Sequence, residues 1–593
     1  MSYLRRLDEF IAPIALVLMA LIPLTEILVR PFVGKGFENS SLFVQHMGLL
    51  LAMWGAIAAE RHGQLTKLGQ LFAEGLPIAN TVAGTICGVL SWASWQFVSS
   101  EMVSPKELAY DIPVWWLQIS MPIGFAILGV KIAASGQKNP WVKGVFALLW
   151  PVSGLVLGAW MDGQVITLWP VTVLLVTALL FGAPIFVVLG GLALAFFASD
   201  GLPIASIALS QYQITVNPSL PALPLFTLAG LIFAKTHAAG RLGTLFIAIF
   251  GHGVWGTVIA ATVLCSFFTA FTGGSGVTIL ALGGLLLPLL KNAGYPEQRS
   301  IGLVTSASAL GVLLAPSVPL IMYAIIARVP INTMFVAGLV PAVVMVVCLL
   351  LFGGYMRVSQ ASTTADSNQH LLGGAISRAK WEILAPFVAI GSLVSGLATP
   401  TESAALTAVY AVLTQAFAHK ELSWRLMGEC LSQCTQIIGG VMLILGMALG
   451  LTNYLVDAGI PDLATEWVQG ITQNKFVFLL ALNIFLFIAG ALMEIYAAIV
   501  VLVPLLLPLA ISYGIDPVHF GIIFLANMEM GFLCPPAGMN IFFASAVFKQ
   551  PIKRVAISVL PALLAIFVGT MMISWLPLIA LGLPQYLGQI AQK

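Results

Sequence analysis

The stretch LLLPLLKNAGYPEQRSIGL, which begins at Leu285, recurs 220 residues later as LLLPLAISYGIDPVHFGII, which begins at Leu505. Further along both copies, GVLLAPSVP from Gly311 corresponds to GFLCPPAGM from Gly531. Leucine-rich helices match one another by chance, but prolines and glycines at the same spacing in both copies are not an effect of composition. We infer that the chain contains an internal structural repeat.

The composition around this repeat is that of a membrane protein. Of 593 residues, 60% are hydrophobic and only 8% are charged, whereas soluble domains carry about 25% charged residues. The net charge of +2 gives no basic surface for a nucleic acid. Apolar runs of about 20 residues recur along the chain. The sequence therefore predicts an all-α polytopic protein of the lipid bilayer, with about 15 spans and two re-entrant hairpins.

Basic residues predict how the spans are oriented. In the N-terminal region, Lys and Arg fall on alternate loops, and the positive-inside rule assigns these loops and the N-terminus to the cytoplasm. In the repeat, Lys291 and Arg299 lie beside the start of the first copy, whereas Lys549, Lys553 and Arg554 follow the end of the second. If both clusters are cytoplasmic, the two halves cross the membrane in opposite senses, as in inverted-repeat transporters.

The chain divides into three predicted regions. Residues 1–140 contain four spans and no duplication, which predicts an accessory four-helix scaffold domain. Residues 141–165 form a connecting transmembrane helix, and residues 166–593 form a transport domain. Its two halves cover about 166–357 and about 380–580.

Each half contains two places where a helix cannot run without interruption. The first is a turn within an apolar stretch, FFTAFTGGSGVTIL in one half and IAGALMEIYAAIV in the other. Consecutive glycines favour a re-entrant hairpin whose bare backbone needs a buried or hydrated partner. The second is a proline break, LLAPS in one half and LCPPAGMN in the other, at Pro316 and at Pro535 and Pro536.

Opened backbone near the middle of a membrane offers carbonyl oxygens to Na⁺ and helix N-termini to an anion. We therefore predict about two Na⁺ sites with a solute between them, built from hard oxygen ligands. The candidate ligands are the carbonyls of the turns and breaks with nearby hydroxyls: Gly273, Gly274, Ser275, Ser306, Gly311 and Leu314 in the first half, and Met493, Gly531 and Cys534 in the second.

Three acidic residues lie in or beside apolar stretches. An acid in a membrane helix costs about 2.5 to 3.5 kcal/mol on insertion scales, so we expect Glu494 to face the cavity. Glu529 either faces the cavity or pairs with a distant base. Glu402, in ATPTES, is expected to cap the N-terminus of its helix.

From about Ile166 onwards, the sequence resembles the large permease subunit of the TRAP (tripartite ATP-independent periplasmic) transporters. The stretches that carry the resemblance are PLFTLAGLIFA, GHGVWGTVIAATVLCSFFTAFTGGSGVT, ATPTESAA and GFLCPPAGMN. The N-terminal region has the size and span count of the family's small subunit, so the chain looks like a fusion of the two subunits. The resemblance implies Na⁺-coupled uptake of an organic acid anion, a carboxylate or sulfonate, across the inner membrane of a bacterium or archaeon. It also implies an elevator mechanism, with the solute delivered by a periplasmic binding protein.

The resemblance implies solute contacts at Ser275, Ser317 and Glu494, and Asn540 is a further predicted contact. The sequence departs from the family pattern at the GGSG turn, where a Ser-Ser pair is usual, at Pro316, where two prolines are usual, and at Cys534, where Thr is expected. These departures affect individual side-chain ligands more than backbone ligands.

Two other functions remain open at this point. A proton-coupled carrier could have the same repeat, with Glu494 and Glu529 relaying protons. An intramembrane serine protease is a possibility from another class, because GGSG also fits the GxSG nucleophile pattern of rhomboid enzymes. That enzyme needs a His beside Ser275 and would leave the repeat unexplained.

Overall fold

The structure, a computed structural model, describes residues 8–33, 38–65, 78–135, 139–251, 253–357, 370–395, 398–535 and 538–590. The described residues are mostly helical, which confirms the all-α class. Twelve of their helices are long and apolar enough to cross a membrane, or up to 13 if the bent pair Ala222–Lys235 and Ala238–Phe250 counts as one span. The expectation of about 15 spans is not confirmed.

The helices follow one another along the chain. In chain order they are α1 Asp8–Val33, α2 Ser40–Arg61, α3 Ile78–Val103, α4 Trp115–Gln118, α5 Ser120–Ser135, α6 Pro140–Met161, α7 Leu168–Leu180, α8 Ile185–Ser199, α9 Ala205–Thr215, α10 Ala222–Lys235, α11 Ala238–Phe250, α12 Val254–Thr272, α13 Ser275–Asn292, α14 Glu297–Leu310, α15 Val318–Ile326, α16 Ile331–Phe352, α17 His370–Val394, α18 Pro400–Leu413, α19 Trp424–Asp457, α20 Ile460–Ile471, α21 Lys475–Leu492, α22 Ile495–Ser512, α23 Pro517–Gly531, α24 Met539–Phe548, α25 Ile552–Trp575 and α26 Leu578–Tyr586. A short antiparallel pair of strands, β1 Glu107–Ala109 and β2 Ile112–Pro113, follows α3.

The chain forms two compact units. The first comprises Met1–Pro224, Leu431–Leu463 and Val500–Leu505, and the second comprises Leu225–Cys430, Ala464–Ile499 and Leu506–Lys593. Both are discontinuous in sequence, so they do not coincide with the three regions proposed from the sequence, which stay a prediction.

In the first unit, helices meet closely at glycines. A Cβ atom on Gly154 of α6 would lie 2.0 Å from the carbonyl oxygen of Thr85 on α3, and Gly88 lies at the same crossing. A Cβ atom on Gly439 of α19 would lie 2.2 Å from the carbonyl carbon of Gly55 on α2. Small residues allow membrane helices to approach until their backbones touch. The connecting helix α6 therefore packs directly against the N-terminal helices.

The repeated elements occur in the same order twice, and all of them lie in the second unit except Val500–Leu505 of α22. A helical hairpin, a broken helix and a long helix occur as α12–α13, α14–α15 and α16, and again as α21–α22, α23–α24 and α25. Ser275 and Ile495 begin corresponding helices 220 residues apart, and so do Glu297 and Pro517. The structural repeat therefore has the spacing that the sequence predicts.

A buried ion cluster holds α11, the helix that leads into the first hairpin. The Nε and Nη2 atoms of Arg241 donate hydrogen bonds to Oε1 of Glu382 on α17, at 2.9 and 2.6 Å. Arg241 also pairs with Glu421, in the loop before α19. Burial raises the pKa of the Glu421 carboxyl, but hydrogen bonds from Arg241 and from the backbone of His237 outweigh this effect and lower its pKa below the usual value. The cluster fixes α11 against α17.

Replacing Arg241 with Leu should strongly destabilise the protein. Glu382 is only 1% exposed, and breaking a buried ion pair on one side typically costs about 3 to 5 kcal/mol. The double variant Arg241→Leu with Glu382→Leu should recover much of the loss, because the fully buried Glu382 charge is removed together with its partner. Glu421, which is 22% exposed, keeps its hydrogen bond from the backbone of His237. Thermal unfolding in detergent measures both effects. Arg425→Leu is the matched control, since the Arg425–Glu429 pair is largely exposed, and it should change the unfolding temperature little. Equal effects of Arg241→Leu and Arg425→Leu would contradict this account.

Candidate functional site

The first hairpin turns at two glycines, as predicted. Helix α12 ends at Thr272 and α13 begins at Ser275. Gly273 has a φ of 69°, a left-handed conformation that favours glycine. A Cβ atom at this position would also lie 2.8 Å from Cγ2 of Val318, the first residue of α15. Glycine is therefore required both by the turn and by its close contact with the first helix break.

The second hairpin turns without glycine. Helix α21 ends at Leu492, Met493 and Glu494 have extended backbones, and α22 begins at Ile495. Glu494 lies in the N-cap position of α22 and is half-buried. Its carbonyl accepts a hydrogen bond from the backbone N–H of Ala498 at 3.0 Å. The predicted acidic residue thus lies at the tip of the second hairpin.

The first break lies where the sequence predicts it. After α14, Gly311–Leu313 form one 3₁₀ turn, Leu314 is extended, and α15 begins at Val318, with Pro316 in the gap. The backbone N–H of Leu314 donates to the Gly311 carbonyl at 3.1 Å, and that of Ser317 donates to the Leu314 carbonyl at 3.0 Å. Both carbonyls predicted as ligands therefore take part in local turns.

The second break has a similar local pattern, except that its second hydrogen bond spans four residues instead of three. Helix α23 ends at Gly531 and α24 begins at Met539. The Gly531 carbonyl accepts the backbone N–H of Cys534 at 3.0 Å, and the Cys534 carbonyl accepts that of Gly538 at 2.7 Å. Pro535 lies in this turn, while Pro536 lies outside the described residues.

In each half the hairpin packs against the break through one glycine. A Cβ atom on Gly311 would lie 2.1 Å from the carbonyl oxygen of Ser266 on α12. A Cβ atom on Gly531 would lie 2.4 Å from the carbonyl carbon of Gly490 on α21. The two halves therefore pair hairpin with break in the same way.

Two hydrogen bonds join the first hairpin to the second half of the repeat. Ser275 Oγ donates to Oδ1 of Asn540 on α24 at 2.7 Å, and Tyr496 Oη donates to the Gly273 carbonyl at 3.0 Å. An amide oxygen is not a general base, so the hydrogen bond from Ser275 to Asn540 does not activate Ser275 as a nucleophile. The structure thus brings the first turn together with the second hairpin and the second break.

Two buried polar atoms of the predicted site have no partner among the described residues. They are Nδ2 of Asn540, a residue that is 1% exposed, and Oγ of Ser317, which is fully buried. Leaving a buried donor unsatisfied costs about 1 to 3 kcal/mol. Both atoms are therefore available to a ligand.

A cluster of threonines behind the first turn was missed in the sequence. Thr269 Oγ1 lies 2.7 Å from Thr278 Oγ1 and 2.8 Å from the carbonyl oxygen of Ser308 on α14, and Thr272 Oγ1 lies 3.1 Å from Thr278 Oγ1. Threonine hydroxyls on an apolar helix commonly bond to the backbone of their own helix, so these threonines alone do not indicate a functional site. The signal lies in the repeat, since the residues 220 positions later carry no hydroxyl: Ala489, Leu492 and Ala498.

Ser306 is placed differently from the other predicted ligands. It is fully buried in α14, and the phenol of Tyr355 is its polar neighbour. Neither hydroxyl has a partner at hydrogen-bond geometry. The contacts of Ser306 do not connect it with the carbonyls of the break, so the predicted role of Ser306 as a Na⁺ ligand has no support from the geometry.

The two remaining acids have different surroundings. Glu402 and Thr399 form a reciprocal capping box at the start of α18, which confirms the capping role. Glu529 is fully buried in α23. Its oxygens make no hydrogen bond of standard geometry, and the backbone N–H groups of Val312 and Leu313 lie close to it. Glu529 therefore faces the first break from the second half.

Helices of membrane-spanning length, two hairpin turns and two broken helices that meet in one unit place the chain among the multi-pass transporter permeases. Residues 172–579 match the family model "Tripartite ATP-independent periplasmic transporter, DctM component". The chain belongs to this family, which confirms the resemblance seen in the sequence.

Individual relatives support the assignment. The isethionate TRAP transporter permease protein DctMQ of Oleidesulfovibrio alaskensis is 30% identical over 499 residues, covering 83% of this chain and 78% of that protein. The C4-dicarboxylate TRAP transporter large permease protein DctM of Rhodobacter capsulatus is 32% identical, over 69% of this chain and 97% of that protein. The sialic acid TRAP transporter large permease protein SiaM of Vibrio cholerae is 29% identical, over 69% and 96%. The solved YdaH transporter of Alcanivorax borkumensis has a TM-score of 0.45 at 14% identity, over 70% of this chain and 99% of that chain, a likeness too low to bear on the fold.

The Ser275–Asn540 hydrogen bond should appear as an energetic coupling. We expect Ser275→Ala and Asn540→Ala each to lower the thermal stability, and the double variant to lose less than the sum of the two, with a coupling of about 0.5 to 1.5 kcal/mol. Unfolding of the purified protein in detergent measures it. Ser275→Ala combined with Ser545→Ala is the control, because Ser545 bonds the backbone of Gln550 instead, and this pair should be additive. Additive losses for Ser275 and Asn540 would show that the bond is absent.

Proposed function

We propose that this chain is the membrane permease of a Na⁺-coupled uptake system for an organic acid anion, carried by an elevator mechanism. The observation that most supports the proposal is the convergence of all four interrupted elements. The Gly273 turn contacts the first break through Val318, the second hairpin through Tyr496, and, through the adjacent Ser275, the helix that follows the second break.

The donor atoms around these turns suit Na⁺ as the coupling ion. Carbonyl and hydroxyl oxygens are hard ligands that suit cations of this kind better than transition metals. In the first half, the Gly273, Gly311 and Leu314 carbonyls lie at the turn and break, and the Thr269–Thr278 hydroxyls lie behind them. In the second half, the candidate ligands are the backbone carbonyls of Met493, Gly531 and Cys534. A carbonyl oxygen has two lone pairs, so one hydrogen bond leaves it able to bind a cation.

The solute is proposed to be a carboxylate or a sulfonate. The unpartnered donors of Asn540 and Ser317 would each gain a hydrogen bond from an anionic oxygen. Relatives named for isethionate, C4-dicarboxylate and sialic acid transport all point to organic acids. The family name denotes a tripartite periplasmic system, so we propose that a periplasmic binding protein delivers the solute.

The proposed movement and orientation follow from the units and the charges. The turns and breaks of all four interrupted elements belong to the second unit, although Val500–Leu505 of α22 belongs to the first. This grouping of the turns and breaks supports their movement as one body. The positive-inside rule supports an N-terminus in the cytoplasm, with the chain in the inner membrane.

A sodium gradient should drive accumulation by itself. The purified chain is reconstituted in liposomes with its binding protein outside, and uptake of labelled succinate, isethionate and sialic acid is followed in turn. We expect uptake with an inward Na⁺ gradient at equal pH, and none with a pH gradient in Na⁺-free buffer. Accumulation driven by pH alone would reject Na⁺ coupling in favour of proton coupling.

Glu494→Gln should impair transport because it changes the charge at the second hairpin tip. We expect the uptake rate at subsaturating Na⁺ to fall about tenfold or more, which corresponds to about 1.4 kcal/mol. Glu466→Gln, an exposed change on α20, is the control and should transport like the unmodified protein. Unchanged uptake by Glu494→Gln at every Na⁺ concentration would remove this residue from the site.

A further inference from the structure

One side chain joins the tips of the two hairpins. Tyr496 lies in the first turn of α22, and its Oη donates a hydrogen bond to the Gly273 carbonyl at 3.0 Å. The same oxygen lies 3.5 Å from the position that a Cβ atom would take on Gly273. The Tyr496 side chain therefore contacts the left-handed turn at the backbone of Gly273.

The contact has no counterpart in the other half. The residue 220 positions before Tyr496 is Gly276, and the ring of Phe543 occupies the space that a side chain there would need. The tip of the second hairpin therefore contacts the tip of the first hairpin through a tyrosine. At the corresponding position the first hairpin has a glycine, which has no side chain to make such a contact. The sequence repeat gives no reason to select Tyr496, because the repeat aligns it with a glycine.

The bonded carbonyl is one of the proposed Na⁺ ligands. A phenol donor occupies one lone pair of the Gly273 oxygen and leaves the other for a cation. The bond also restricts the orientation of the peptide plane that carries the Gly273 carbonyl. Without the bond this plane could rotate more freely, because glycine has no Cβ atom. Ligand geometry set before the ion arrives improves affinity because less freedom is lost on binding.

We propose that Tyr496 is a positioning residue that orients the Gly273 carbonyl for Na⁺, so that ion affinity in the first half depends on the placement of the second hairpin. This inference rests on the proposed Na⁺ coupling and deepens it. It gives one physical link between the two halves: displacement of the second hairpin tip breaks the phenol bond and frees the Gly273 carbonyl to turn.

The chain supplies a matched control in the same hairpin. Tyr513, beyond the outer end of α22, also donates its hydroxyl to a backbone carbonyl, that of Thr472. Its ring stacks on Phe478, with the centroids 4.2 Å apart. Tyr513→Phe therefore removes the same kind of bond from the same hairpin without touching the turn at Gly273.

The experiment measures Na⁺ binding in the absence of solute. The full chain, Tyr496→Phe and Tyr513→Phe are purified in detergent, and their unfolding temperatures are followed as NaCl replaces KCl at constant ionic strength. Tyr496→Phe keeps the ring and loses only the hydroxyl. We expect it to need about two- to tenfold more Na⁺ for half-maximal stabilisation, the effect of losing one hydrogen bond. In liposomes, the half-saturating Na⁺ concentration for uptake should rise by the same factor, with an unchanged maximal rate.

The outcomes distinguish failure of this inference from failure of the proposed Na⁺ coupling on which it rests. Tyr513→Phe should keep the Na⁺ midpoint of the unmodified protein even if its unfolding temperature in KCl is lower. If Na⁺ stabilises the unmodified protein and Tyr496→Phe has the same midpoint, the positioning role is overturned while Na⁺ coupling stands. Equal shifts in the midpoint for both variants would also overturn it. If Na⁺ stabilises none of the three proteins, Na⁺ coupling itself fails, and this inference fails with it.

Discussion

The physical constraint behind this structure is that backbone N–H and C=O groups inside a membrane must find partners within the protein. Two hairpin turns and two helix breaks each expose such groups. At both breaks the chain meets part of this need locally, since the Gly311 and Gly531 carbonyls accept the backbone N–H three residues later. Each break also packs against a hairpin, Gly311 against α12 and Gly531 against α21, so its backbone is buried within the protein.

This pairing depends on the absence of side chains at a few positions. Gly311 and Gly531 lie so close to α12 and α21 that a Cβ atom would overlap backbone atoms of the hairpin. The close approach excludes lipid and large side chains from the turns and keeps their oxygens together. The result is a set of carbonyl oxygens that each use one lone pair in a hydrogen bond and keep the other for a ligand. The packing that buries the interrupted backbone therefore also brings the oxygens of the candidate ion sites together.

The elements of the site could be predicted from the sequence because their causes are local. Glycine at 273 permits a left-handed turn, prolines at 316 and 535 interrupt a helix where they stand, and the repeat shows that the interruptions recur. The contact of Tyr496 could not be predicted, because Gly273 lies 223 residues away in the chain and no local pattern encodes it. The predicted span count is not confirmed, because apolarity does not measure helix length: α7, α8 and α24 are apolar but have only 10–17 residues.

The two halves share a backbone plan but differ in side chains, and this difference bears on how each site works. Behind the first turn, Thr269 and Thr278 provide hydroxyls that bond to each other and to the α14 backbone, whereas Ala489 and Ala498 stand at the corresponding positions. The second turn also lacks glycine, so its backbone is held by the ordinary extended conformation of Met493 and Glu494. If the second site uses carbonyls alone, as proposed, the side chain at its break is not a ligand, and Cys534 can stand where the family resemblance leads one to expect a hydroxyl. The first half, in contrast, has a turn of greater backbone freedom and depends on hydroxyls and on Tyr496 to restrict it.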